Sequence, residues 1–227
     1  MKACHHGRSD QAGFTLVEIA IVLVIIGLLL GGILKGQEMI TQARIKNVIN
    51  DFNGITAAVN SYQDRYRALP GDDLGAGRWT GTAAGTGDGQ WSCTGGYRTA
   101  APATPVNTEE CNLFWQHLRL AGFVAGATQG AAGGQQPNNA VNGIMGVQTG
   151  VGVATLGFAS NIICTTNLPD KIAIAVDTQM DDGTMQTGQV RSSGAQAAPN
   201  PALAALPGGT TNYVENGTNQ YTLCKNL

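Results

Sequence analysis

The sequence predicts an α+β protein: a long N-terminal α-helix, apolar in its first half, packed on a C-terminal antiparallel β-sheet domain with long loops. Three observations carry this. From Phe14 to Leu34 the chain is almost unbroken apolar, with Glu18 its only ionisable side chain. Ile45, Val48, Ile49, Phe52, Ile55, Val59, Tyr62 and Tyr66 then recur at steps of three and four, the spacing of one helix face. Beyond Ile144, short β-branched segments alternate with Gly, Asn and Pro turns.

The apolar run comes first. A helix rises about 1.5 Å per residue and needs roughly 20 apolar residues to cross a bilayer core, so the run is just long enough. The polar leader before it carries Lys2, His5, His6 and Arg8, which the positive-inside tendency keeps in the cytoplasm while the rest is exported. A secretory signal peptide shares this outline. The run is longer than the usual h-region of about 7 to 15 residues, no small-residue cleavage site follows it, and a carboxylate sits near its start. An acidic group inside a membrane helix costs at least about 2.5 kcal/mol and normally faces a partner. Glu18 lies one helical turn from Phe14, so a cut after Gly13 creates an ammonium that this carboxylate can neutralise, in its own or a neighbouring chain.

Gly13-Phe14-Thr15-Leu16-Val17-Glu18-Ile19, followed by Ile25-Ile26-Gly27, resembles the class III leader and N-terminal helix of type IV pilins and of type II secretion pseudopilins. The resemblance covers roughly Gly13 to Pro70, with a pilin-like layout beyond. It implies cleavage after Gly13 by a prepilin peptidase, which also N-methylates Phe14, and a Glu18 contact to the Phe14 amine of an adjacent subunit. It further implies other pilin or pseudopilin subunits, an inner-membrane assembly platform and inner-membrane lipid as partners. Many major pilins have a proline some eight residues after Gly27, where this chain has Lys35. Neither the helix break tied to that proline nor a major-subunit role carries over.

The expected organisation is a removed leader (1–13), a transmembrane and filament-core helix (14–37), its amphipathic continuation (38–69) and an exported globular domain (70–227). Helix from Phe14 to about Arg67 would reach roughly 80 Å. Leu69-Pro70-Gly71 is its expected stop, because proline lacks an N–H and glycine permits a turn. Gly27, Gly31, Gly32 and Gly36 are spaced for close helix approach, a weak signal because such spacing is common in membrane helices.

Only 12% of residues are charged, Gly numbers 32 and the formal net charge is −2. That is the profile of an exported chain with long loops, and it offers no basic surface. Of five cysteines, Cys4 lies in the leader, leaving Cys93, Cys111, Cys164 and Cys224. An even set on the oxidising side of a membrane reads as two disulfides with three possible connectivities. Cys93 with Cys111 and Cys164 with Cys224 is favoured, because neither loop crosses the other. A zinc site has no C-x-x-C or adjacent histidine to support it.

Asp72 to Val106 reads as a loop anchored by Trp79, Trp91 and Tyr97, with a turn at Gly87-Asp88-Gly89-Gln90. A short helix follows, capped by Asn107 or Thr108, favoured at its positive end by Glu109 and Glu110, carrying Leu113, Phe114, Trp115 and Leu118, and ended by Gly122. His117 on it is expected at a surface or interface. After another loop, 126–143, Ile144 to Ile163 reads as two strands with turns near Gly150 and Ser160. Its glycines, Thr149, Thr155, Ser160 and Asn161 rule it out as a second membrane span. Pro169-Asp170 opens a helix to about Met180, Met185 to Ser192 reads as a strand, and Tyr213-Val214 and Tyr221-Thr222-Leu223 read as closing strands. Asp177, Asp181 and Asp182 raise calcium, but Thr178 and Met180 break the EF-hand alternation, and the expectation is helix-end carboxylates in a solvated turn without metal.

No Walker A loop, G-x-S-x-G or H-E-x-x-H is present, so neither an enzyme nor a cofactor is predicted. The predicted function is a structural subunit of a type IV pilus-like filament, single-pass in a bacterial inner membrane with its N-terminus cytoplasmic, then part of a pilus or pseudopilus. The alternative is a filament-tip minor pilin acting as a binding module in adhesion, secreted-substrate contact or DNA uptake. The absence of clustered Lys and Arg speaks against nucleic acid.

Overall fold

The computed structural model describes residues 15–93, 97, 108–150, 156–193, 195 and 212–227. Gly13, Phe14 and Asn107 lie outside them. The chain divides into two units, one ending at Gln42 and one running Ala43–Leu227. Helix α1, Leu16–Tyr66, contributes to both. It continues through Lys35, which pairs with Glu38 at 2.8 Å. It ends three residues before Pro70, at Arg67 with φ 56°, so the chain turns left-handed before the expected Pro-Gly stop is reached.

In the second unit α1 buries Ile45, Val48, Phe52, Ile55, Ala58, Val59 and Tyr62. After it come a 3-10 turn (Leu74–Arg78), α2 (Glu110–Leu120), a single turn α3 (Gly130–Gly133), β1 (Met145–Thr149), β2 (Asn161–Pro169), α4 (Asp170–Met180), β3 (Val190–Ser192) and β4 (Gln220–Asn226). The strands form one antiparallel sheet in the order β1-β2-β4-β3. With an alternating backbone, Met145, Val147, Ile163, Val190, Tyr221 and Leu223 share one core with the α1 stripe, Trp91, Phe114, Trp115 and Leu118. Ile162, Cys164 and Cys224 enter a smaller cluster with Tyr97, Leu156 and Phe158. Covering both faces explains why β2 reads as an apolar run instead of an alternation. Between Thr165 and Leu168 its register shifts, with Asn167 at φ 57°, a conformation Asn tolerates better than most residues.

Cys164 and Cys224 face each other across β2 and β4 and are disulfide-bonded, with Cα atoms 4.0 Å apart. Cys93 is bonded to Cys111, tying the preceding loop to the first turn of α2.

Several expectations are corrected. Thr108 does not cap α2; Glu109 stands at the N-cap and its side chain makes no capping bond. The strand expected from Met185 is only Val190–Ser192, because the Asp181 carboxylate accepts the N–H groups of Gln189 and Val190 and folds the preceding residues into a turn. Tyr213-Val214 is not a strand: the Val214 N–H and C=O are both bonded to the Tyr221 hydroxyl instead of to a neighbouring strand.

Candidate functional site

The first turn of α1 is built by two side chains. Thr15 precedes the helix, and its backbone N–H donates to Glu18 Oε2 at 2.9 Å while its hydroxyl donates to the same oxygen at 2.8 Å. The Glu18 N–H returns a bond to Thr15 Oγ1 at 3.3 Å. This is a capping box, in which two N–H groups without intrahelical partners are satisfied reciprocally. The signal, Thr-x-x-Glu, stands in the sequence at Thr15 and Glu18.

Beyond the cap, α1 presents apolar side chains with nothing over them. Leu16 is 86% exposed, Leu28 73% and Ile40 57%, and Ile19 through Leu34 are of the same kind. Among the described residues α1 is the one helix long and apolar enough to cross a membrane. A Cβ at Gly27, Gly31, Gly32 or Gly36 would meet nothing within 4 Å beyond the neighbouring backbone of its own helix. The segment therefore has its polar end satisfied and its apolar flank uncovered, which suits lipid or another helix and does not suit water.

The second unit holds the other polar constellation, organised around the 70–92 loop. Asp72 accepts from the backbone N–H groups of Gly87, Asp88 and Gly89. Glu110 accepts from the Thr86 N–H and hydroxyl and from the Ser92 N–H. Asp73 accepts from the Tyr62 hydroxyl at 2.6 Å, Arg78 at 2.6 Å and the Gly75 N–H at 2.7 Å. Burial pushes the Asp73 pKa up, but the bonds from Arg78, Tyr62 and Gly75 outweigh it and hold the carboxyl below its ordinary value. Arg78 also lies over the rings of Tyr66 and Trp79, at 4.6 and 4.8 Å.

His117 is not at a surface. It is fully buried, its Nδ1 accepting the Gly71 N–H at 2.9 Å and its Nε2 lying 3.1 Å from the Ala83 carbonyl, so the proton sits on Nε2. Burial lowers its pKa, against the pull of Ala83 and Asp73. The loop comes so close to α2 here that a Cβ on Gly71 would lie 2.6 Å from the Glu110 carbonyl oxygen. With every buried acid engaged by donors and the histidine locked between two backbone groups, this network fixes a loop to α1 and α2. Asp72, Asp88 and Glu110 each bring an oxygen within 4.8 Å of the others, but the bonds just described already occupy the buried pair. A groove of about 600 Å³ opens where Asn60 and Gln63 of α1 meet Asn161, Gln189, Lys225 and Asn226.

Residues 8–34 match the family model described as the prokaryotic N-terminal methylation motif. The match supports a type IV pilin-like prepilin leader at the start of the chain, and the apolar helix α1 is consistent with a single-pass membrane anchor. Such a motif implies processing by a peptidase and assembly with other pilins. No curated protein and no solved structure matches the chain.

Proposed function

We propose that the chain is a structural subunit of a type IV pilus-like filament, cleaved after Gly13, N-methylated on Phe14 and assembled through α1. The observation that carries this reading is the uncovered apolar flank of α1 from Leu16 to Ile40, most of which lies inside the matched motif at residues 8–34. Before assembly the flank sits in inner-membrane lipid with the leader cytoplasmic; afterwards it packs among the helices of neighbouring subunits. Residues 14–37 form the membrane and filament-core part, 38–69 bind the helix to its own domain, and 70–227 form the exported domain. The partners are the prepilin peptidase and methyltransferase, other pilin or pseudopilin subunits and an inner-membrane assembly platform.

Glu18 has the central role in this proposal. Its Oε2 serves Thr15, and among the described residues Oε1 has no hydrogen bond. That second oxygen is available to the Phe14 ammonium of an adjacent subunit, pairing two charges that are each costly alone in an apolar core. The test is Glu18→Ala, comparing the mature-to-precursor ratio with the amount recovered in sheared filaments. Normal cleavage with loss from filaments is expected. A variant that stays uncut, or that is cut and assembles normally, would overturn the assignment.

The groove beside Asn60 and Gln63 supports a second reading, a subunit at the filament tip that binds a partner. Its lining is mostly amides and hydroxyls with Lys225 as its one basic side chain, which favours an uncharged polar ligand over nucleic acid. Neighbouring genes encoding a secretin, a retraction motor or a secretion ATPase would separate pilus from pseudopilus.

A further inference from the structure

The two disulfides stand in different surroundings. Cys164 and Cys224 are both fully buried, opposite each other on the two central strands of the sheet. In the other bridge Cys111 is fully buried, but Cys93 is only half-buried and lines a shallow cleft of about 440 Å³ with Thr86, Ser92, Thr108, Glu109 and Glu110. A thiolate breaks a disulfide by attacking one of its sulfurs directly, so access to a sulfur decides which bridge exchanges while the protein stays folded.

The surroundings also suit the opened state. Cys111 is the second residue of α2, in the first turn of an 11-residue helix, where N–H groups without intrahelical partners favour a thiolate. Glu109 and Glu110 oppose this, but the Glu110 carboxylate is itself engaged by the Thr86 N–H and hydroxyl and the Ser92 N–H. As thiols, both residues have acceptors in place: the Trp91 carbonyl lies 3.3 Å from Cys93 Sγ and the Val147 carbonyl 2.8 Å from Cys111 Sγ. Opening the bridge also leaves its neighbours bonded. Ser92 keeps its N–H on Glu110, the Trp91 N–H donates to Asn161, and the Trp91 carbonyl accepts the Thr149 N–H at 2.9 Å.

We propose that Cys93–Cys111 is a thiol-exchange site, attacked at Cys93 by the dithiol of a C-x-x-C oxidoreductase, whereas Cys164–Cys224 is a permanent cross-link. A partner thiolate bonds to Cys93 Sγ, the Cys93–Cys111 bond breaks, and its electron pair leaves on Cys111 Sγ, which takes up a proton. The partner's second thiolate then attacks the partner's own first sulfur and releases Cys93 as a thiolate, which is protonated in turn. The partner dithiol has become a disulfide, and two electrons and two protons have passed to this chain. The covalent tie between the 70–92 loop and α2 is thereby reversible, while the sheet keeps its own bridge. This inference is independent of the assembly role of α1.

The experiment uses the full chain in detergent micelles, with Cys4→Ser so that no leader thiol competes. Dithiothreitol stands for the partner dithiol, samples are quenched with N-ethylmaleimide, and the four remaining cysteines are followed by peptide mapping. Cys93 and Cys111 should be alkylated at least about tenfold faster than Cys164 and Cys224, at a rate proportional to dithiothreitol. Circular dichroism should be unchanged at that stage, and oxidised glutathione should restore the bridge. Cys164 and Cys224 should follow only when urea unfolds the chain. In Cys111→Ala the free Cys93 should form a mixed disulfide with oxidised glutathione at least about tenfold faster than the free Cys111 does in Cys93→Ala. The dithiothreitol kinetics need neither variant, so they decide the matter even if one fails to fold. Equal rates for the two bridges, or earlier opening of Cys164–Cys224, would overturn the proposal. Loss of sheet signal on opening Cys93–Cys111 would overturn it too, and a faster Cys111 would overturn Cys93 as the attacked sulfur.

Discussion

Glu18 and Thr15 satisfy each other: the carboxylate takes the Thr15 N–H and hydroxyl, and the hydroxyl takes the Glu18 N–H. The residue proposed to join one subunit to the next therefore also starts the helix of its own. Loss of Glu18 removes a cap worth about 1 kcal/mol together with a charge, and alanine does not separate the two.

Glutamine does. Glu18→Gln keeps an oxygen for Thr15, since Gln serves at this position of a capping box, but it carries no charge. Glu18→Gln should be cleaved after Gly13, show the wild-type helix content by circular dichroism in micelles, and still be absent from sheared filaments. Normal incorporation of Glu18→Gln alongside failure of Glu18→Ala would assign the effect to the cap.

Replacement of Gly13 by a bulky residue should leave an uncut precursor in the membrane. In the wild type, mass spectrometry should find a mature N-terminus at methylated Phe14. A different start would remove the ammonium from the reach of Glu18.

Non-reducing peptide maps of the exported protein should recover Cys93 joined to Cys111 and Cys164 joined to Cys224. The second bridge closes 60 residues and the first 18, so the second constrains the unfolded chain more. Cys164→Ser with Cys224→Ser should cost about 2–5 kcal/mol in denaturant unfolding, and more than the matching change at Cys93 and Cys111.

His117 gives the fold an acid-sensitive element. Its pKa is lowered by burial, so the unfolded chain binds the proton more readily than the folded one. Stability from the neutral ring is full above the unfolded pKa of about 6.5 and declines as pH falls from there towards the folded value. Urea unfolding of His117→Gln should show a lower stability at pH 7.5 and a smaller further loss at pH 5.5 than wild type.

Asp177 works in the opposite sense. Its folded pKa, about 6, stands above the unfolded value of about 3.9, so the protonated form stabilises the fold below that value. The contribution is lost as pH rises through about 6, to a limit of roughly 2–3 kcal/mol. In urea unfolding, Asp177→Asn should therefore gain on wild type between pH 4 and pH 7.

The helix was legible because Ile45, Val48, Phe52, Val59 and Tyr62 repeat with its period, and α4 because Pro169-Asp170 opens it. The 70–92 loop was not. Its order comes from Asp72, Asp73, Glu110 and His117, whose partners lie 11 to 46 residues away for bonds such as Tyr62 to Asp73 and Gly71 to His117. A local pattern carries no trace of such pairings, and a histidine on an otherwise apolar helix gives no hint that two backbone groups will enclose it. The buried position of Asp177 was hidden for the same reason: Tyr213, the side chain that meets it, is 36 residues on. At the N-terminus the matching motif names the leader, whereas the capping role of Thr15 rests on a four-residue pattern that stood in view.

The two cross-links also decide how the domain wears. Residues 94–110 lie inside the loop closed by Cys93 and Cys111, and residues 165–223 inside the one closed by Cys164 and Cys224. A protease that nicks either interval once produces two termini but no separate fragment, because both sides stay attached through sulfur. Where the cut falls in a loop, Cys164 and Cys224 still hold the start of β2 beside the end of β4, and Cys93 still holds the 70–92 loop to α2.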